Sequence, residues 1–187
     1  GCGGIANNHL AAYRHVPEAK LVACCDVVEA KAVAFARRAG IDAVYTDYQE
    51  LLASAQVEMV DICAPDEAHA EIAVAALDSG RHALIEKPLA LSAAEGEAIL
   101  AAARSSGCRA MCAQSLRWDP KFRALKRILD EGRIGTPVYI RFCLPASPFW
   151  TQDQAAQYRD RGPDWLLLHN GMHSFDLLSW LLNSTPV

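Results

Sequence analysis

Two side chains in this sequence are suited to chemistry on an alcohol carbon. Lys87 directly follows the apolar run 82–86, and His173 lies in an apolar helical pattern. When a hydride leaves an alcohol, the oxygen gives up a proton, and histidine, whose ordinary pKa is near neutral, can take it. An ammonium beside the same oxygen stabilises the growing negative charge. Lys87 and His173 are therefore candidates for such chemistry, with Glu86 placed to hold the ammonium. The alternative is that Glu86-Lys87 before Pro88 is a surface turn.

A glycine-rich segment at residues 1–6, with the sequence GCGGIA, fits the pattern G-x-G-x-x-A of dinucleotide-binding loops. In such loops the first glycine allows a tight turn, and the second lets a pyrophosphate approach the backbone. The third small residue lets helix and strand pack closely, and the helix N-terminus faces the phosphate. The candidate contacts with the cofactor in this loop are Gly1, Gly3, Gly4, Ile5 and Ala6.

An acidic residue, Asp26, ends the next predicted strand, at the distance from the loop that dinucleotide folds use. A carboxylate there accepts hydrogen bonds from the adenosine ribose hydroxyls and repels a 2′-phosphate. The residues that follow, Val27 and Val28, cannot pair with a phosphate. The expected cofactor is therefore NAD rather than NADP. The alternative is that Asp26 only caps a helix or closes a turn.

The elements that must position these residues alternate along the chain. Apolar runs predict strands at 21–26, 43–45, 59–64, 82–86 and 109–113, and helical spacing predicts helices at 29–39, 48–54, 66–79 and 92–106. The last helix opens with a capping box at Ser92 and Glu95. Short strands alternating with helices predict right-handed βαβ units and an α/β fold with a doubly wound parallel sheet. Lys87 would then face the crevice where such sheets bind ligands.

The pattern changes after about Arg117. A helix is predicted at 120–131, an alternating strand at 138–144, an irregular polar and aromatic stretch at 145–163, and a helix at 172–182. We expect residues 1–117 to form a dinucleotide-binding domain and residues 118–187 to begin a second α/β domain with an open sheet. Because no strand precedes the glycine loop, we expect a fragment that lacks this strand and most of the second domain and is itself inactive.

Composition excludes several classes of protein. Of the 187 residues, 52% are hydrophobic and 21% are charged, which is typical of a globular protein and excludes a disordered chain. No apolar run approaches the roughly 18–20 residues of a bilayer span, so we expect no membrane partner. The net charge of -4 makes nucleic acid an unlikely partner. The seven cysteines are odd in number and lack a C-x-x-C pair, which favours reduced thiols and a cytoplasmic location.

Taken in order, the motifs resemble those of the Gfo/Idh/MocA oxidoreductases, a family of NAD(P)-dependent dehydrogenases. The resemblance covers nearly the whole chain. It is carried by the glycine loop, the strand ending in Asp26, Ala64-Pro65 with His69, Glu86-Lys87-Pro88, Arg117-Trp118-Asp119-Pro120, Gly132-Arg133-Ile134-Gly135 and His173-Ser174-Phe175-Asp176.

The resemblance implies a Rossmann domain, a second α/β domain, and hydride transfer at a carbinol carbon of a sugar, inositol or related polyol. It implies that Lys87 is the active-site lysine and His173 the acid/base histidine. The whole protein is expected to be a homo-oligomer. The implied neighbours of the cofactor are Pro65, His69, Glu86 and Lys87, and those of the substrate are Arg117, Trp118, Asn170 and Asp176.

One position departs from the family pattern. Many members carry an aspartate four residues before the catalytic histidine, and His169 stands there in this chain. We expect His169 to act as a neutral hydrogen-bond partner of His173 or of a substrate hydroxyl. The alternative is that His169 only packs as a structural residue. For His69, the alternative to a place near the nicotinamide is a surface or capping histidine.

Two other functions compete with the dehydrogenase. His169, His173 and Asp176 are spaced at i, i+4 and i+7, so on one helix they would share a face as metal ligands do. We do not expect a metal, because no cysteine or glutamate completes a ligand set nearby. A sensor that binds NAD without catalysis is the second alternative, since a fold does not determine a function. Such a sensor would not need both Lys87 and His173.

Overall fold

The computed structural model describes residues 1–54, 56–143 and 167–184. The chain divides into two compact units, Gly1–Ala113 and Gln114–Val187.

Strands and helices alternate throughout the first unit. In chain order they are α1 (Gly4–Tyr13), β1 (Ala23–Cys25), α2 (Glu29–Ala39), β2 (Ala43–Tyr45), α3 (Tyr48–Ser54), β3 (Met59–Ile62), a 3-10 turn (Asp66–Ala68), α4 (His69–Asp78), β4 (His82–Ile85), α5 (Ala93–Ser106) and β5 (Ala110–Cys112). Each predicted strand and helix is present, although the strands are one to three residues shorter than the apolar runs where the two differ.

All strand pairs in the first unit are parallel. β1 pairs with β2, and β3, β4 and β5 form a second group in that order. In the second group Ile62 lies opposite Ile85, and Ile85 lies opposite Cys112. Parallel strands joined through helices confirm the predicted α/β fold of the Rossmann type. The carboxyl ends of β3 and β4 are therefore neighbours, which places the residues that follow them together.

The core of the first unit lies between strands and helices. Around β3 and β4, the side chains of Ile62, Leu77, Ile85 and Ile99 are almost fully buried. Each such burial stabilises the fold by about 1.5–3 kcal/mol. A second cluster packs α1 and α2 against β1, with the small residue Ala6 only 4% exposed. The small side chain at this position lets α1 approach the strands, as the loop pattern predicts.

The helix ends follow their sequence signals. Ser92 accepts from the Glu95 N–H, and Glu95 accepts in return from the Ser92 N–H, so the predicted capping box is confirmed. Helix α2 ends at Gly40, whose φ of 69° is in the left-handed region that glycine adopts without strain.

The regular elements in the described part of the second unit are all helices or helical turns. They are a 3-10 turn (Ser115–Trp118), α6 (Pro120–Asp130), a π-helical turn (Leu167–Gly171) and α7 (Met172–Leu182). Helix α6 begins where Asp119 accepts from the Lys121 N–H and proline occupies the first turn.

The prediction of a strand at 138–144 is wrong for its described residues, 138–143, which do not form a strand. Alternating apolar residues form a strand only beside another strand that completes the hydrogen-bond ladder, and the described residues of this unit contain none. The predicted irregular stretch 145–163 lies outside the described residues. No helix in the described ranges has the length and apolar character needed to cross a bilayer.

Candidate active site

The glycine loop passes close to the end of β3. A Cβ added at Gly1 would overlap the carbonyl of Cys63 and lie 2.9 Å from the nitrogen of Ala64. The loop can therefore take this path only with glycine at position 1. A Cβ at Gly3 would meet nothing within 4 Å. The backbone at Gly3 thus adjoins open space on the side where a pyrophosphate is expected to approach.

The N-terminus of α1 presents its backbone N–H groups at this loop. Gly3 occupies the N-cap position and offers no side-chain acceptor, and no acidic residue lies in the first turn. Ile5 is 41% exposed, whereas Ala6 faces the core. An uncapped helix start carries a partial positive charge and is well suited to bind an anionic group.

Asp26 lies immediately after β1 and connects the glycine loop to the next turn. One carboxylate oxygen accepts from the Cys2 N–H at 2.8 Å, and the other accepts from the Val28 N–H at 2.9 Å. Partial burial acts to raise the pKa of Asp26, but these backbone hydrogen bonds outweigh it and keep the pKa below its ordinary value. The alternative interpretation, a turn-closing aspartate, describes these contacts. A carboxylate retains further acceptor capacity for ribose hydroxyls.

Glu86 and Lys87 follow β4. The Glu86 side chain is largely buried, and its Oε2 accepts from the Lys87 N–H at 2.8 Å. The Lys87–Pro88 peptide bond is cis. Burial lowers the pKa of Lys87, whereas the negative charges of Glu86 and Asp66 act against that shift. The ammonium is therefore partly withdrawn from water. This withdrawal strengthens its interaction with a developing negative charge.

His9, to which the sequence assigns no role, contacts the same glutamate. Its Nδ1 lies 2.8 Å from Asp61 Oδ2, and its Nε2 lies 3.1 Å from Glu86 Oε1. The Tyr13 hydroxyl donates to Asp61 at 2.9 Å. Sequence reasoning missed this arrangement because the partners lie 52 and 77 residues from His9 along the chain. No local pattern marks a contact made only by folding.

The two carboxylates hold His9 as an imidazolium. The hydrogen bond with Asp61 is the largest cause, followed by those with Cys63 and Glu86, and together they raise the pKa of His9 from 6.5 to about 12 against the opposing effect of burial. Burial acts to raise the pKa of Glu86, but His9 and the Lys87 N–H reverse that effect and lower it. At neutral pH the site therefore contains ionised Glu86 bound to charged His9.

His69 is buried, with only 1% of its surface exposed, so the interpretation as a surface histidine is wrong. Its Nδ1 lies 2.7 Å from the Pro88 carbonyl, and its Nε2 lies 2.9 Å from the Ala64 carbonyl. The ring thereby joins the segment after β3 to the segment after β4. Pro65, at the start of the 3-10 turn, is exposed beside it. His69 thus holds the backbone at Pro88, the residue directly after Lys87.

The second unit contains a bidentate ion pair. Arg117 donates from Nε to Asp176 Oδ2 at 2.8 Å and from Nη2 to Asp176 Oδ1 at 2.6 Å. The two residues expected to contact substrate thus bind each other, and the pair fixes α7 one turn after His173. His169 and Asn170 lie on the π-helical turn, and both are partly buried. Trp118 is 62% exposed.

A cluster of possible metal ligands occurs in the first unit rather than at the histidines of α7. Within the described ranges, the donor atoms of His9, Asp61 and Cys63 lie within 4.8 Å of one another, whereas His169, His173 and Asp176 form no such group. Asp176 is instead engaged by Arg117.

Comparison with known proteins agrees with this geometry. The Gfo/Idh/MocA model, described as an oxidoreductase family with an NAD-binding Rossmann fold, matches residues 1–114. The chain belongs to the Gfo/Idh/MocA family.

Relatives within this family include named dehydrogenases. The D-apiose dehydrogenase of Paraburkholderia graminis is 30% identical over 97% of this chain and 48% of its own length. The inositol 2-dehydrogenase of Salmonella paratyphi B is 33% identical over 98% of this chain and 53% of its own length. The chain therefore spans about half the length of the curated relatives it matches.

A solved dehydrogenase structure is similar across the whole chain. The WlbA dehydrogenase from Bordetella pertussis, in complex with NADH and UDP-GlcNAcA, superposes with a TM-score of 0.82 at 26% identity. The match covers 100% of this chain and 57% of that one.

The first unit of this Gfo/Idh/MocA chain fits a dinucleotide on its own geometry. The backbone at Gly3 is open, the start of α1 is uncapped by side chains, and Asp26 lies at the end of β1 next to the loop. These are the donors and acceptors that a pyrophosphate and a ribose need.

Proposed function

We propose that the protein containing this chain is an NAD-dependent dehydrogenase acting on a carbinol carbon of a sugar, inositol or related polyol. The observation that carries the proposal is the half-buried Lys87 at the end of β4, with Glu86 fixed beside it by His9. A lysine with no chemical task is rarely withdrawn from water, because burial disfavours its charge. The names of the relatives, inositol 2-dehydrogenase and D-apiose dehydrogenase, support the substrate class.

NAD, when bound, supplies the acceptor or donor of the hydride. The chain's own part in binding it is assigned to Gly3 and the start of α1 for the pyrophosphate, and to Asp26 for the adenosine ribose. Gly1 lets the loop pass the end of β3, and Ala6 lets α1 pack closely. These residues hold and orient the cofactor without taking part in chemistry.

Lys87 is assigned to the reacting oxygen. Its ammonium donates a hydrogen bond to that oxygen and stabilises the negative charge that grows as the proton leaves. Partial burial strengthens this interaction, because less water competes for the ammonium. The nearby carboxylates of Glu86 and Asp66 counter the tendency of burial to deprotonate Lys87.

His173 is assigned to the proton. In the oxidation it accepts the hydroxyl proton at a ring nitrogen, and in the reduction it returns the proton to the oxygen. His169 is assigned as its neutral hydrogen-bond partner or as a partner of a substrate hydroxyl. The ion pair of Arg117 with Asp176 orients the helix that carries His173. Residues 118–187 are proposed to begin the substrate domain, where Trp118 and Asn170 also contribute.

The preference for NAD over NADP is assigned to Asp26. Its lowered pKa keeps it ionised throughout the physiological range, so it repels a 2′-phosphate. The side chain of Val27 is 88% exposed and offers no positive charge. Lys31 lies near enough to influence the Asp26 carboxylate and favours its ionised form. We extend the proposal to a cytoplasmic homo-oligomer for the whole protein.

The test is turnover by the full-length protein. Reduction of NAD is followed with inositols, hexoses, apiose and nucleotide-linked sugars, and each active substrate is repeated with NADP. The expected result is turnover of at least one polyol with a higher kcat/KM for NAD. Tight NAD binding without turnover of any of these compounds would favour the sensor instead, and equal use of NADP would contradict the role of Asp26.

A further inference from the structure

Three side chains outside the proposed cofactor and substrate contacts are connected by hydrogen bonds to Glu86, the neighbour of Lys87. We propose that Tyr13, Asp61 and His9 form a positioning network that fixes Glu86 and, through Glu86, the backbone and local charge at Lys87. We call these three residues with Glu86 the His9 network. The inference rests on the proposed function, because it explains how that function keeps its lysine in place.

The contacts run without interruption from Tyr13 to Lys87. Tyr13 donates to Asp61, His9 donates from Nδ1 to Asp61 at 2.8 Å and from Nε2 to Glu86 at 3.1 Å, and Glu86 accepts from the Lys87 N–H at 2.8 Å. The side chains of His9, Asp61 and Glu86 are only 19%, 17% and 12% exposed. Imidazole donates from both nitrogens only when protonated, so the network requires charged His9.

The charges around the two cations assign a different effect to each member. His9 faces Asp61 of β3, Cys63 directly after β3 and Glu86 directly after β4, and Tyr13, one turn further along α1, donates to the same Asp61. Lys87 faces the charges of Glu86 and Asp66, and also Cys112 from β5.

His9 and Glu86 carry charges of opposite sign near Lys87. Without the positive charge of His9, the negative charge of Glu86 is no longer offset, and the pKa of Lys87 rises. Without the negative charge of Glu86, burial is opposed less and the pKa of Lys87 falls. Neutralising the two partners of one ion pair therefore moves the same lysine in opposite directions.

A bound metal ion would be the competing explanation for the cluster of His9, Asp61 and Cys63. Nitrogen and oxygen ligands of one tetrahedral zinc ion would lie about 3.3 Å apart, given bond lengths near 2.0–2.2 Å. The 2.8 Å between His9 Nδ1 and Asp61 Oδ2 is instead the length of a charge-assisted hydrogen bond. The protonated ring explains the cluster without an ion.

The experiment compares four forms of the full-length protein: wild type, His9→Gln, Glu86→Gln and the matched control His15→Gln. His15 is an exposed histidine just beyond the end of α1. We expect kcat to fall about tenfold in His9→Gln with the KM for NAD changed less than twofold, and no change in His15→Gln. The alkaline limb of the rate profile should move to higher pH in His9→Gln and to lower pH in Glu86→Gln. Limbs that stay in place, or that move in the same direction, would overturn the network.

A second measurement does not need activity. The Cε resonances of ¹³C-labelled lysine are titrated in the cofactor-free protein, with Lys87 assigned from Lys87→Arg. The midpoint of Lys87 should show the same opposite shifts. If wild type oxidises no polyol, the proposed function fails, and this titration still decides the network.

Asp61→Asn provides the check if His9→Gln does not fold. In ¹⁵N-histidine protein, the His9 ring should remain protonated from pH 6 to 9 in wild type and begin to titrate within that range in Asp61→Asn. A wild-type ring that titrates near its ordinary value of 6.5 would refute the network. Stoichiometric zinc in the purified protein would do the same, because a metal-bound His9 nitrogen could not donate to Asp61.

Discussion

Asp26 and Glu86 are carboxylates at the ends of two parallel strands in the same unit, and the chain satisfies them in different ways. Asp26 accepts from two backbone N–H groups, those of Cys2 and Val28. Glu86 accepts from one backbone N–H, that of Lys87, and from the side chain of His9. Both carboxylates have lowered pKa values despite the opposing effect of burial.

Because their donors differ, the two carboxylates depend on different parts of the molecule. Backbone N–H groups do not titrate, so the two hydrogen bonds that favour ionised Asp26 persist at every pH, with a further contribution from Lys31. The charge of Glu86 depends on a protonated side chain that in turn depends on Asp61. The hydrogen bonds to Asp26 thus do not depend on the protonation of a side chain, whereas those to Glu86 depend on protonated His9. The second arrangement suits a lysine whose protonation matters to the reaction.

The largest expected effect comes from removing the side chain of Lys87, the residue whose backbone N–H donates to Glu86. Lys87→Ala should lower kcat about 10²–10³-fold, because the ammonium interacts most strongly with the charge that develops in the transition state. The dissociation constant for NAD should change only a few-fold. Steady-state kinetics and calorimetric NAD titration measure the two quantities. If NAD affinity fell while kcat held, Lys87 would be a cofactor contact.

The pH dependence of stability should separate the two ends next. The folded pKa of His9 lies above its unfolded value, so its stabilisation is complete below about pH 6.5 and is lost as the pH rises toward the folded value of about 12. The difference in unfolding free energy between wild type and His9→Gln should therefore shrink by about 1 kcal/mol per pH unit between pH 7 and 9. Urea denaturation at several pH values measures this slope.

Asp26 should show the opposite dependence. Its folded pKa is lowered, so its stabilisation is present above the unfolded value of 3.8 and is lost as the pH falls through the folded value. Asp26→Asn should therefore show no alkaline slope relative to wild type, and its difference should shrink only in acid. An alkaline slope in Asp26→Asn matching that of His9→Gln would mean that the two carboxylates do not differ as described.

Cofactor choice should respond to the Asp26 end alone. Asp26→Ser removes the charge that repels a 2′-phosphate and weakens the ribose contact, so the ratio of kcat/KM for NAD to that for NADP should fall about tenfold or more. Glu86→Gln should leave the ratio unchanged. Kinetics with both cofactors measure it, and a ratio that Asp26→Ser leaves intact would return Asp26 to the role of a turn residue.

The smallest effect is expected at a third carboxylate, Glu95, which also accepts from backbone N–H groups and provides a control. Glu95 accepts from the N–H groups of Leu91 and Ser92 in the capping box of α5, and neither Glu95 nor Ser92 is assigned to cofactor or substrate. Ser92→Ala should cost about 1 kcal/mol of stability. Thermal denaturation should detect this loss, with no change in cofactor preference or in the alkaline limb of the rate profile. A shifted limb would show that the rate profile reports general stability.

Most of the first unit could be predicted because its signals are local. The capping box at Ser92 and the glycine at the end of α2 each specify a helix boundary within a few residues. The strand predicted at 138–144 was wrong for residues 138–143, because alternation alone does not show whether a partner strand lies beside the segment. Asp26 was found because the spacing from the glycine loop is nearly constant in such folds, whereas His9 had no such spacing to mark it.

Local sequence signals specify the order of strands and helices, the glycine loop, and the position of Lys87 directly after a strand. These features depend on side-chain periodicity and on backbone preferences that act over a few residues. Three contacts depend on tertiary packing instead: His9 bridges Asp61 and Glu86, His69 is buried between two backbone carbonyls, and Arg117 binds Asp176. Those contacts join residues 5 to 77 positions apart, and buried charge requires a partner wherever packing brings one within reach.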